Sequence, residues 1–519
     1  MSNKRCFGYL FFGLLICNLI QAQSNTFSKL YPLNPLLSST FTSIEIDDNS
    51  YYVIGVGSID APGYPAASLF MRTNLNGEIE KFSSIIDTNN NFETWFQSLV
   101  MDHDGNLVTH GVSRNPKDSN FLSFIKYNKD GELILLKTFS ASQIRMFEMS
   151  HCMKKNERDE YYMTVRSNPD EYNSSFFNFK LDKNGNILWK KEFKMNALNC
   201  SLIRMALTLN GFIIGVTISP DSYPTKNGIN QYAILAFDSI GNVLWEKYSD
   251  PKEDWLGTLG GIEVNNSEII FFTGKGRIDY PHPSYDNFYW DWCGIIFDSA
   301  MNIKKTTFFR SPIRLYMDNI NLWSSLKLEN EGGYISVGQD MPDSIPHGWI
   351  VKLSDSGDSL WARHYRINYP DKGYVQFQLR NIKEDNYGNL IAIGERREYD
   401  RVGFNTQQGW MIKLDKYGCL MPGCQLVNTN EVNDNKPILE TYPNPANEFI
   451  SFRIFNDGGH QKYSYKLYDI EGKMVISDFG MLSEETQIIH VNELSNGTYI
   501  LKVYLNNNNI KEEKITIIH

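Results

Sequence analysis

The residues best suited to chemistry crowd into one stretch, "GRIDYPHPSYDNFYWDW" (276–292). Tyr280, Tyr285, Tyr289, Trp290 and Trp292 stand there beside Asp279, Asp286 and His282. Aromatic faces next to carboxylates suit stacking on sugar rings or gripping a peptide. Three further tryptophans, Trp95, Trp255 and Trp323, each fall near the start of a short apolar run. Catalytic spacings are missing from the rest of the chain. His103, His110, His151, His282, His347 and His364 form no H-x-x-x-H pair, and there is no Gly-x-Ser-x-Gly elbow or phosphate-cradling glycine loop. "DHDGN" (102–106) begins like a calcium loop but lacks the later ligands, so it reads as a turn. No metal site and no catalytic residue is assigned.

The elements that would position these residues follow from a repeat. "LDKNGNILWKKEF" (181–193) recurs as "FDSIGNVLWEKYS" (237–249) and "LSDSGDSLWARHY" (353–365). Its turn position falls at Gly77, Gly131, Gly185, Gly241, Met301, Gly357 and Gly418, at intervals of 54, 54, 56, 60, 56 and 61 residues. A second polar turn followed by an apolar strand alternates with it, as in "DDNSYYVIGVG" (47–57) and "DNYGNLIAIG" (385–394). Each repeat therefore holds four short strands, a to d, with tight Asp/Asn/Gly turns at a–b and c–d. Four strands repeated seven times predict an all-β chain, with a seven-bladed β-propeller over residues 23–424. The lone strand within 25–31 is expected to complete the last blade.

The recurring Trp189, Trp245 and Trp361, each following a c–d turn, resemble the Trp-bearing repeats of pyrroloquinoline-quinone-type propellers. That resemblance implies the fold. Quinoprotein dehydrogenases carry a pair of adjacent cysteines, which this chain lacks, so no cofactor is expected. In such a blade the tight turns share one rim, and the b–c connections, holding ten of the 19 prolines in the first six, share the other. Stiff loops on a rigid scaffold are where binding groups concentrate. The b–c rim is thus the expected ligand face, with Trp95, Trp255 and Trp323 placed to ring the channel mouth or to pack between blades.

After Cys424 a polar linker (425–438) leads into residues 439–519, where the rhythm changes. "YPNPANEFISFRI" (442–454), "YKLYDIEGKMV" (465–475), "LSNGTYILKVYL" (494–505) and a final "KITII" (514–518) predict a small β-sandwich. These motifs resemble the C-terminal sorting domain of the type IX (Por) secretion system of Bacteroidetes. The resemblance implies export to the periplasm, passage across the outer membrane by the type IX machinery, and an extracellular or outer-membrane-surface location. Asp-Ser-apolar triplets at 238–240, 298–300, 343–345 and 358–360 resemble the O-glycosylation acceptor of the same bacteria.

Residues 1–22 read as a signal peptide, with Lys4-Arg5, an apolar core and Ala22 before the cut. No membrane span is expected after its removal. The net charge of −10 becomes −12 without Lys4 and Arg5, and no basic cluster is present, which excludes nucleic acid as a partner. Cys419 and Cys424 bracket Met-Pro-Gly and are a candidate disulfide, whereas Cys152, Cys200 and Cys293 read as buried thiols. Together these features predict a secreted or surface propeller that binds glycan or protein. A polysaccharide hydrolase or lyase and a purely structural surface protein are the alternatives. Deleting residues 439–519 should leave the protein in the periplasm, as read by protease accessibility on intact cells. Undiminished surface delivery would overturn the sorting assignment.

Overall fold

The computed structural model describes residues 26–33, 36–59, 66–85, 95–114, 120–140, 151–167, 175–194, 199–219, 231–249, 256–265, 268–276, 290–309, 321–342, 345–367, 374–400, 403–420, 438–442, 445–455, 462–481, 487–505 and 508–519. Every regular element among them is a β-strand. The chain divides into two compact units, Met1–Pro422 and Gly423–His519.

The first unit opens with β1 (Phe27–Tyr31) and continues as antiparallel meanders in which each strand pairs with its sequence neighbour. The first set is β2 (Leu36–Ile46), β3 (Ser50–Ile59), β4 (Ala66–Asn74) and β5 (Ile79–Ile85). Next come β6 (Trp95–Met101), β7 (Leu107–Arg114), β8 (Asn120–Tyr127) and β9 (Leu133–Ser140), then β10 (His151–Lys155), β11 (Tyr161–Ser167), β12 (Ser175–Leu181) and β13 (Ile187–Lys194). They are followed by β14 (Asn199–Thr208), β15 (Gly211–Ser219), β16 (Gln231–Asp238) and β17 (Val243–Tyr248), and by β18 (Leu256–Asn265), β19 (Glu268–Gly276), β20 (Trp290–Phe297) and β21 (Ile303–Phe309). After β22 (Asn321–Lys327), β23 (Tyr334–Asp340), β24 (His347–Leu353) and β25 (Ser359–Tyr365), the last set is β26 (Tyr374–Glu384), β27 (Leu390–Asp400) and β28 (Gly403–Leu414). Its fourth strand is β1, antiparallel to β28 with Phe27 opposite Lys413 and Tyr31 opposite Gly409. A single parallel bridge, Ser38 to Gln407, joins this set to the first. The first strands of the sets touch in the order β2, β6, β10, β14, β18, β22, β26 and back to β2. The fold is a β-propeller.

The burial pattern follows from the sequence of each strand. Middle strands are near-continuous apolar runs because both faces pack on neighbouring blades, and every residue of β23 and β24 is buried. Outer strands alternate, as in "ILWKKEFK" of β13, where exposed and half-buried residues take turns. The cores lie between blades: Tyr162 and Phe176 pack with Phe212, Ile214 and Phe237 of the next one. The same arrangement closes the ring, where Tyr31, Ile391, Ile393 and Met411 pack with Phe41 and Ile44.

The repeated turn explains its own composition. In "LDKNGN", Gly185 N donates to Asp182 O (2.9 Å), and Asp182 N donates to Asn186 O (2.9 Å), closing a bulged hairpin. Asp182 Oδ1 accepts from the amides of Asn184 (2.9 Å) and Asn186 (2.8 Å), and Oδ2 accepts from Asn186 Nδ2 (2.7 Å). Asp238 and Asp298 do the same, and Asn74, Asn128 and Asn156 replace the carboxylate with an amide oxygen. The acidic turn therefore binds its own backbone. "DHDGN" behaves likewise, with Asp102 accepting from Asn106 N (2.7 Å) and from Lys126 Nζ (2.8 Å), so an ammonium already satisfies the carboxylate.

The turn glycine has a second duty. Gly241 has a φ of 79°, and a Cβ there would lie 2.7 Å from Trp189 Cη2 of the preceding blade. Phe27 covers Gly77, Phe70 covers Gly131, Phe124 covers Gly185, Ile296 covers Gly357 and Trp361 covers Gly418 in the same way. Trp189 also donates through Nε1 to Ser239 O (3.1 Å). It is a latch between blades.

In the second unit β29 (Ile438–Tyr442), β30 (Phe449–Phe455) and β33 (Gln487–His490) form one sheet. The other, in the order β32-β31-β34-β35, comprises β31 (Lys462–Asp469), β32 (Met474–Met481), β34 (Gly497–Leu505) and β35 (Asn508–Ile517). Ile450 and Phe452 of the first sheet pack on Leu467, Leu501 and Ile515 of the second, which makes a β-sandwich.

Gly241→Ala forces an L residue into the left-handed region and drives its methyl into Trp189. It should destabilise the propeller by about 2–4 kcal/mol in denaturant unfolding, and an unchanged midpoint would remove the latch from the account. The turn carboxylates give a second test. Burial works against ionisation at Asp182 and Asp238, but Asn186 and Asn242 hold them below the ordinary carboxylate value, and the amide of Asn302 leads the same effect at Asp298. A carboxyl lowered in the folded state stabilises above its unfolded value of about 3.9 and loses that contribution as pH falls through the folded value. The melting temperature should fall below about pH 4, and less steeply when Asp182, Asp238 and Asp298 are all Asn, the residue that fills the equivalent turns at 74 and 128. Identical acid profiles would exclude the turns as the cause.

Candidate functional site

The innermost strands β2, β6, β10, β14, β18, β22 and β26 line an axial cavity of about 450 Å³. Its wall takes Glu45 from β2, Ser98 from β6, Lys154 from β10, Arg204 from β14, Glu263 from β18, Trp323 from β22 and Arg380 from β26. Most lining residues occupy the halves of these strands that run into the a–b turns. Adjacent charges pair round the ring, with Lys383 Nζ 2.7 Å from Glu45 Oε1 and Lys155 Nζ 2.9 Å from Asp159 Oδ1.

Two half-buried groups of the wall have shifted protonation. Arg204 Nε donates to Gly260 O (3.2 Å) and Trp323 O (3.1 Å), and burial pushes its guanidinium down to about 10. Glu263 accepts from Ser325 Oγ (2.8 Å). Burial pushes its carboxyl up and outweighs the pull of Lys154, Lys383 and Lys327. Cys152 is a free, buried thiol in the same wall, pushed up to about 12 by burial. It is therefore not a nucleophile.

Behind Trp323 lies a buried network that fixes this part of the wall. Glu395 is fully buried and meets Arg380 Nη2 (3.0 Å), Arg397 Nη2 (2.6 Å) and Gln407 Nε2 (2.7 Å). Burial opposes its charge, but Arg380 and Arg397 hold it ionised, below the usual value. The Arg380 guanidinium lies 5.1 Å over the Trp323 ring. Gln378, its amide oriented to suit both neighbours, donates to Glu395 Oε1 (3.0 Å) and accepts from Trp323 Nε1.

A separate constellation lies where β23, β24 and β25 end or begin. His364 Nε2 is 2.7 Å from Oδ2 of the buried Asp340, its ring stacks on Trp349, and His347 Nε2 meets Arg366 Nη1 at 3.3 Å. The described hydrogen bond of this imidazole is to the Asp340 carboxylate, which fixes the ring's orientation.

Of the residues singled out in the sequence, Trp323 lines the axial cavity. Trp292 is 2% exposed and packs among Phe272, Trp349 and Tyr334. Trp95 and Trp290 begin β6 and β20. Tyr280, His282, Tyr285, Tyr289 and Trp255 lie outside the described residues, as does the signal segment 1–22. Cys419 is disulfide-bonded, and Cys424 also lies outside the described residues. Cys152 and Cys293 are buried. No three His, Cys, Asp or Glu residues gather as a metal site among the described residues, and no helix there is long and apolar enough to cross a membrane. Sequence reasoning missed Arg204, Glu263, Arg380, Lys154 and Lys383. One signal was available: Glu45, Lys154 and Lys383 each stand two residues before a turn-forming Asp47, Asn156 or Asp385.

Residues 440–518 match the secretion system C-terminal sorting domain. The chain is thus a type IX secretion cargo, directed to the cell surface or the extracellular space. A comparison with curated proteins returns no match. Among solved structures, an α-L-arabinofuranosidase from Fusarium graminearum is 9% identical with a TM-score of 0.42, over 75% of this chain and 97% of that one. The polysaccharide lyase Uly1 is 9% identical with a TM-score of 0.44, over 76% and 93%. The β-propeller domain of the trilobed protease from Pyrococcus furiosus is 10% identical with a TM-score of 0.40, over 73% and 99%. Likenesses at this level carry no activity over to this chain.

Proposed function

We propose that this exported propeller, seven-bladed by its repeat, is a carbohydrate-binding protein that takes its ligand into the axial cavity without turning it over. An aromatic surface among polar groups carries the reading: Trp323 stands in the axial wall beside Arg380, Ser325 and Lys383. The cavity's volume of about 450 Å³ suits one or two sugar residues, and the half-buried Trp323 supplies an aromatic surface among polar groups.

Affinity electrophoresis of the full mature protein through gels containing polysaccharides tests this, with parallel assays for new reducing ends and unsaturated termini. Retention without product is expected, and Trp323→Ala should weaken it roughly tenfold. Product release would replace the proposal with a hydrolase or lyase. Absence of retention by every glycan would overturn carbohydrate binding in favour of a protein ligand or a structural role.

A further inference from the structure

We infer that the extended end of the last blade is a second subsite for the same glycan, taking by aromatic stacking the sugar residues that continue out of the axial cavity. This rests on the carbohydrate-binding reading and deepens it, because the preferred ligand is then an oligosaccharide chain rather than a single sugar. The last blade is built unlike the others at its b–c end. Its second and third strands, β27 and β28, hold 11 and 12 residues. In the other blades the second strands hold 7 to 10 residues and the third strands 7 to 9. β27 and β28 stay paired as far as Asp400 opposite Gly403, and β26 stays beside them as far as Tyr374 opposite Tyr399. A three-stranded ribbon therefore runs on from the cavity, since β26 also supplies Arg380 and Lys383 to its wall.

The two faces of the ribbon differ. On one, Arg396 Nη2 meets Glu398 Oε2 (2.8 Å), which also accepts from Thr406 Oγ1 (3.3 Å), so these groups satisfy one another and stiffen the ribbon. On the other, the first rung is Gln378 opposite Glu395, the pair that holds Trp323 and Arg380 at the cavity wall. The next rung is Gln376, Arg397 and Gln407, all half-buried, and the one beyond is Tyr374, Tyr399 and Phe404. Arg397 is held between Glu395 Oε1 (2.6 Å) and the hydroxyl of the half-buried Tyr399, which gives that ring a fixed place. From Gln378 to Tyr374 the strand covers about 13 Å, with polar side chains in the interval. Aromatic residues at both ends and hydrogen-bonding groups between them match a sugar chain, whose rings offer apolar C–H faces and whose edges carry hydroxyls.

Calorimetric titration of the full mature protein with cello-oligosaccharides and with oligogalacturonides, each from two to six residues long, tests this. Affinity should climb with chain length in whichever series binds. Tyr399→Ala should weaken binding of the longest chain roughly tenfold and leave the disaccharide unchanged, whereas Trp323→Ala should weaken every length. Tyr399→Phe keeps the ring and should bind within about twofold of the parent; a loss equal to that of Tyr399→Ala would overturn stacking. Tyr387→Ala, in the β26–β27 turn at the opposite end of the same blade, should leave all lengths unchanged. The disaccharide serves as the folding control, because a misfolded variant loses it together with the longer chains. Affinity independent of length, or a Tyr399→Ala protein that binds long chains like the parent, would overturn the second subsite while leaving the axial site intact. Binding of neither series would overturn both readings.

Discussion

In a propeller each blade is held by its neighbours, and here much of that hold sits over one backbone position per turn. Where the c–d hairpin needs a left-handed residue, glycine leaves a bare patch of backbone, and the preceding blade fills it with a ring or an aliphatic side chain. Phe27, Phe70, Phe124, Trp189, Ile296 and Trp361 differ in shape and come from different strands of their blades, yet all reach the same feature of the next one. Met301 is the exception that shows the rule, a non-glycine residue at φ 63° in the equivalent turn. There Trp245 packs with the core that includes Met301, and Lys247 Nζ reaches the Met301 carbonyl. Because β1 delivers Phe27 and Tyr31 to the first blade's turn, the ring closes by the device that links its members.

The latch also determines what the rest of the surface is free to do. Turn carboxylates are saturated by their own amides, so the acidic residues that dominate the repeat are structural. Ion pairs tie successive turns together, as with Arg72 and Asp130, Lys129 and Asp47, and Lys126 reaching both Asp102 and the carbonyl of Lys183. A rim bound up in this way has few polar groups left for a ligand. Among the described residues, the axial wall offers polar groups that the turns do not use.

The fold class was legible because its turn chemistry is local. An Asp or Asn followed three residues later by Gly specifies a bulged hairpin whatever surrounds it, and seven spaced copies imply a closed array. The role of Trp189 was only half legible. Its recurrence marked it as a packing residue, but its partner is Gly241, 52 positions away, which only the assembled ring reveals. The axial wall was hardest to read. A lysine or arginine in a five- to eleven-residue strand reads as a solvent-facing residue, since one strand does not show that others face it across a channel. Trp323 was found because aromatic residues attract attention alone. Arg204 and Glu263 acquire meaning only when β14, β18 and β22 stand side by side.

The axis is held differently from the rim, by a buried ion network rather than by turn amides. The buried Glu395, gripped by Arg380 and Arg397 behind Trp323, then has a structural purpose: it keeps Arg380 at the wall and Trp323 in one orientation, so the cavity is formed before a ligand arrives.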